Sequence, residues 1–173
     1  MIKEILTAIQ AKLEAEATLV RYVDENWGQL EEYSDKPPAK WPCVLLDVGT
    51  IQWSNKGTHQ QTGIATIVLD VATLKLTNTS AKAPLLQKQQ AWAVHEVMQQ
   101  VHQLLHSSKP VQGCGSLSRT GTSRVRRSDG IQQYRVTYLC TVAGHWDTGY
   151  TMVNLAEEEV AVEVVRELDN VIM

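Results

Sequence analysis

Ser128-Asp129-Gly130, followed by Ile131-Gln132-Gln133-Tyr134-Arg135-Val136-Thr137-Tyr138-Leu139-Cys140-Thr141-Val142, is the stretch that decides the fold. Asp-Gly supplies the backbone freedom that a hairpin reversal needs. Beyond it Tyr134, Val136, Tyr138, Cys140 and Val142 fall on alternate positions, so one face of a strand is apolar. Residues 115–127, on the other side of the turn, are the expected partner strand. A hairpin alone is marginal in water, so the rest of the chain has to widen the sheet and cover its apolar face.

Upstream, Pro84 suits the first turn of a helix. Leu86, Ala93, Val94, Val97, Val101, Leu104 and Leu105 then recur at helical spacing, and Ser107, Ser108 and Pro110 end the run. Further upstream, Cys43-Val44-Leu45-Leu46-Asp47-Val48 follows Trp41-Pro42 and begins a buried strand. Asn55-Lys56-Gly57 marks a turn, and residues 63–76 return antiparallel with Ala65, Ile67, Leu69 and Val71 on one face. At the start, Ile2, Ile5, Leu6, Ile9 and Leu13 form the apolar stripe of a helix over residues 2–17. Between them, Tyr22 to Ala39 is polar and carries Pro37-Pro38, which reads as a long connection. The expected class is α+β: a mostly antiparallel four-stranded sheet with helices packed on it, in the order α-β-β-α-β-β.

That domain takes residues 1–143, and residues 144–173 are an extension. In the extension Asn154 and Glu157 have capping-box spacing, and Ala161, Val164, Val165, Leu168 and Ile172 follow a helical period. The alternation Val160, Val162, Val164 would instead suit a strand; helix is the preferred reading. With 173 residues the chain suits one domain, and with no Phe its core must rest on Leu, Ile and Val. No apolar run approaches the roughly 20 residues needed to span a bilayer. The N-terminus lacks a secretory h-region, so synthesis and residence in the cytoplasm are expected. Cys43, Cys114 and Cys140 are widely spaced and odd in number, which suits buried free thiols rather than a disulfide or zinc framework.

Motifs for chemistry are missing: there is no phosphate loop, no dinucleotide fingerprint, no nucleophile elbow and no zincin helix. His95, His102 and His106 align on one side of the long helix, a spacing able to hold a metal. Gln99 and Gln103 lie among them without a carboxylate or thiol, so a polar helix face is the expectation. His145-Trp146-Asp147 has no nucleophile placed beside it, and Gly113-Cys114-Gly115-Ser116 suits a turn before a strand. Charge is more informative. Residues 109–135 hold six bases (Lys109, Arg119, Arg124, Arg126, Arg127, Arg135) against Asp129, whereas residues 147–173 hold seven acids against Arg166. Arginines around one hairpin suit phosphate contact or carboxylate pairing across a subunit interface. The net charge of −3 and the absence of interleaved aromatics weigh against a dedicated nucleic-acid binder.

Three runs carry a resemblance: Tyr22-Val23-Asp24-Glu25-Asn26-Trp27-Gly28-Gln29-Leu30, Pro37-Pro38 with Trp41-Pro42-Cys43, and Arg119-Thr120-Gly121 leading to Val125-Arg126-Arg127-Ser128-Asp129-Gly130. Over residues 1–142 the chain resembles small prophage-encoded proteins of the Bacteroides group. Its order of elements is similar to that of phage tail-terminator and neck proteins. The resemblance implies a non-enzymatic structural protein, without cofactor or metal, in a ring (commonly six-fold) that stops tail-tube growth and offers a joining surface to the neck. Its implied partners are further copies of itself and the tail-tube and neck proteins, with DNA only passing through a lumen and no membrane. It would be assembled in the host cytoplasm and carried in the virion. Arg119, Arg124, Arg126, Arg127 and Arg135 would then face a neighbour or the lumen, with Glu157, Glu158, Glu159 and Glu163 as acidic counterparts. A head-completion or other neck component is the alternative, followed by a nucleic-acid-binding module using the arginine hairpin. The extension departs from the family pattern.

Overall fold

The computed structural model describes residues 1–31, 40–56, 60–74 and 79–145. Two helices and five strands follow the order α1 (Ile2–Glu16), β1 (Tyr22–Glu25), β2 (Cys43–Asn55), β3 (Gln60–Leu74), α2 (Leu85–Leu105), β4 (Ser118–Val125) and β5 (Ile131–His145). All strands join one sheet in the order β1-β2-β3-β5-β4. The sheet is therefore five-stranded and mixed rather than four-stranded and mostly antiparallel, because β1 pairs in parallel with β2, Tyr22 opposite Cys43. A four-residue strand inside a polar stretch leaves no alternation long enough to read. The expected strand pairs are present and antiparallel, and residues from both lie in that one sheet.

The alternation works as anticipated on the helix side. Val44 and Leu46 of β2, Ala65, Ile67, Leu69 and Val71 of β3, and Val136, Tyr138, Cys140 and Val142 of β5 form one buried cluster. Ile5, Leu6, Ile9 and Leu13 of α1 and Val94, Val97, Val101 and Leu105 of α2 close it. Leu86, expected in the α2 stripe, is instead 66% exposed, because the core-facing residues begin a turn later at Ala91. The Trp41–Pro42 peptide bond is cis.

A bulge retunes β2. Its register against β3 shifts between Val48 and Thr50, so beyond Gly49 the helix-side positions become Ile51 and Trp53. Trp53 then lies across Gly63 and Gly144. A Cβ on Gly63 would come within 2.8 Å of the Trp53 ring, and one on Gly144 within 2.9 Å. The loop after α2 is pinned to the sheet by Ser107 N–H donating to Leu117 O (2.8 Å) and Gly115 N–H to Thr141 O (2.7 Å). That loop is the turn expected at Gly113-Cys114-Gly115-Ser116, and β4 starts at Ser118 and ends at Val125, shorter than residues 115–127. Gly130, with φ of +79°, makes the reversal into β5.

Candidate interaction surfaces on the sheet

The five singled-out arginines separate into two kinds. Arg135 faces Asp70 across the β3–β5 register on the side away from the helices. Its Nε and a terminal nitrogen donate to the two Asp70 oxygens at 3.0 and 2.8 Å, and Asn26 Nδ2 adds a third bond at 2.9 Å. Asp70 is 1% exposed, so these donors replace the water that burial removed. Arg127 donates to Asp129 (Nε to Oδ2, 3.0 Å), to Gln133 Oε1 (3.2 Å) and to the Leu30 carbonyl. The same bond holds the Asp129 carboxyl below its ordinary range and raises Arg127 further. Both charges are thus matched within the chain.

These bonds fasten a strap. After β1 the residues 26–31 cross the sheet face opposite the helices, from the β1 edge toward β5. Asn26 ties them to Asp70, and Leu30 enters a second apolar cluster with Cys43, Leu45, Ala72 and Ile131. Gln29, 1% exposed, holds the strap's own bend: its amide donates to Glu25 O (2.8 Å) and accepts from Trp27 N–H (2.9 Å). Beyond the strap no described residue covers this face, and Ile64 is 48% exposed.

Arg119, Arg124 and Arg126 are exposed, and among the described residues no carboxylate pairs with them. Arg119 lies opposite Tyr138 and Arg124 opposite Tyr134, on the helix side of the sheet. There the histidine row meets them. The His95 ring sits 5.1 Å from Tyr134 and 5.2 Å from Trp92. His102 Nδ1 is 3.3 Å from the Tyr138 hydroxyl, and its ring is 4.8 Å from that of His106. Burial, with the charges of Arg119 and His106 adding, pulls His102 below its ordinary range. Burial likewise pushes Tyr138 up to about 12. Among the described residues no three His, Cys, Asp or Glu side chains come together as a metal site. Cys43, Cys114 and Cys140 are buried free thiols, with Cys43 raised by burial to about 12 and Cys140 to about 11. No helix among the described residues is long and apolar enough to cross a membrane.

Several groups had no legible signal. Asp70 reads in sequence as one more surface acid, and only its position in an apolar strand hinted otherwise. The tyrosine partners of the histidines emerge from register alone. Glu157, Glu158, Glu159 and Glu163, the choice between helix and strand there, and Trp146-Asp147 all lie outside the described residues.

A five-stranded mixed sheet carrying two helices on one face and a strap on the other defines an α+β class. A chain in the solved virion of a native gene transfer agent particle has the same fold: the TM-score is 0.53 at 15% identity, over 80% of this chain and 94% of that one. No protein-family model matches the sequence, and no curated protein matches it significantly.

Proposed function

We propose that this chain is a structural, non-catalytic protein of a tailed-phage-like virion, encoded by a prophage, that forms a ring terminating the tail tube and joining it to the neck. The observation that carries the reading is the fold shared with nearly the whole of a virion chain. The surface agrees with an assembling protein. β4 is exposed from Ser118 to Arg124, and β1 pairs only with Cys43–Leu46, which leaves the β2 edge from Asp47 onward without a strand partner among the described residues. Edges and a sheet face left open by the described residues suit head-to-tail contacts that close into a ring. The chain would assemble in the host cytoplasm and leave in the virion.

Electron microscopy of particles from producing cells that lack the gene tests the role. A terminator predicts tail tubes of uncontrolled length detached from heads. Tails of normal length beside unjoined heads would move the chain to a head-completion or other neck position, which the same fold likeness supports. Normal joined particles would end both readings.

A further inference from the structure

The helix layer stops short of one edge of the sheet. α1 lies over β1 and β2, and α2 over β3, so among the described residues no helix rests on β4. The result is a ledge with β4 as floor and one flank of α2 as wall. Arg119 and Arg124 rise from the floor, Tyr134 sits at the corner, and Trp92, His95 and His102 line the wall. Trp92 is 50% exposed and stacks near His95, which in turn meets Tyr134 opposite Arg124, and the two arginines pair with no described carboxylate. Glu96, on the neighbouring helix position, is exposed and makes no ion pair with them.

We infer that this ledge seats the acidic segment 157–169 of a second copy of the chain. That segment carries Glu157, Glu158, Glu159, Glu163, Glu167 and Asp169 against Arg166, together with Val164, Val165 and Leu168 to meet Trp92. Opposite charges give register and partner choice, and the apolar contact supplies most of the attraction. A second copy, rather than the chain's own segment, is the occupant that fits a self-assembling subunit with open edges. The full-chain variants below separate that arrangement from one in which the segment reaches the ledge of its own subunit.

The inference rests on the self-assembly reading, and charge reversal in the full chain tests the two separately. Sedimentation velocity, with duplex-DNA retention read on the same samples, would compare wild type, Arg119→Glu/Arg124→Glu, the quadruple Glu157→Lys/Glu158→Lys/Glu159→Lys/Glu163→Lys, an equal mixture of the two variants, and one chain carrying both reversals. Each variant alone is expected to associate about tenfold more weakly or worse, and the mixture to recover association, because each ledge then meets an opposite segment. Arg119→Gln/Arg124→Gln, which adds no charge, should show a smaller loss and guards against misfolding. Recovery only when both reversals share one chain would place the segment on its own subunit and overturn the proposal. Unchanged association would overturn it while leaving the ring standing. Loss of duplex-DNA retention with association intact would make the ledge a nucleic-acid surface instead. A wild-type chain that stays monomeric would remove the assembly reading and this proposal together.

Discussion

Asp70 is the one carboxylate among the described buried residues, and it is held by Arg135 and Asn26 rather than by solvent. Removing one partner of such a pair strands the other charge. Arg135→Ala should therefore cost about 2–4 kcal/mol, read as a lower urea midpoint at unchanged slope. A change below about 0.5 kcal/mol would mean that water replaces the guanidinium freely. Asp129 gives the pH dependence. Its carboxyl is depressed in the fold by the bond from Arg127, so in the window just below the ordinary carboxylate value of about 3.9 the unfolded chain holds more protons. The stability it contributes is present above that value and lost as pH falls through the depressed one. Asp129→Asn should shrink the drop in urea midpoint between about pH 6 and about pH 3, by no more than about 1 kcal/mol because the pair is partly exposed. At this scale the sequence showed the arginines and the histidines but not their partners, since a cross-strand partner depends on register, and register depends on turns and bulges far from either residue. Replacing His95, His102 and His106 together by Gln should move the melting temperature by only about 2–4 °C, since the pairing to Tyr134 and Tyr138 is at the long end of hydrogen bonding. A larger fall, with metal released, would show a site.

Among the elements, the arm formed by β2 and β3 beyond the bulge depends on glycine more than on burial. Trp53 remains 42% exposed, yet its ring is laid down by the missing side chains of Gly63 and Gly144. Gly63→Ala should destabilise by about 1–3 kcal/mol through overpacking, and most of that cost should disappear in a Trp53→Ala background. Equal costs in both backgrounds would mean that Ile51 and Val142, not the indole, set the limit. The β4 edge is blunted in another way, by a register shift between Arg119 and Gly121 and by the two exposed arginines. Most elements were legible because each carries its own period: α1, α2 and β5 announce themselves through side chains that recur every three to four or every two residues. β1 was not, since four residues cannot display a period and its parallel pairing is a tertiary event. The strap was hidden for a related reason. Its polar residues look like a solvated loop until Asn26 is seen bonding to buried Asp70 and Gln29 is seen buried while it closes the strap's own bend.

At the scale of the whole molecule, the two helices among the described residues cover only part of a five-stranded sheet, and the charge of the chain is divided between a basic hairpin and an acidic extension. The described residues leave two open edges and one sheet face without cover, surface suited to other copies. Exposed ion pairs contribute only about 0–1 kcal/mol each, so a ring has to be held mainly by apolar burial, with charge choosing the neighbour. Association should accordingly weaken but persist when salt is raised. The sequence displayed the charge division plainly, while the geometry that makes it usable, a ledge beside β4, required the order of strands. Self-assembly carries the proposed role, and native mass spectrometry of the purified full chain measures it most directly. That role predicts a single closed oligomer whose copy number stays fixed as concentration rises. A monomer at every concentration, or an open ladder of sizes without a closed end point, would contradict it.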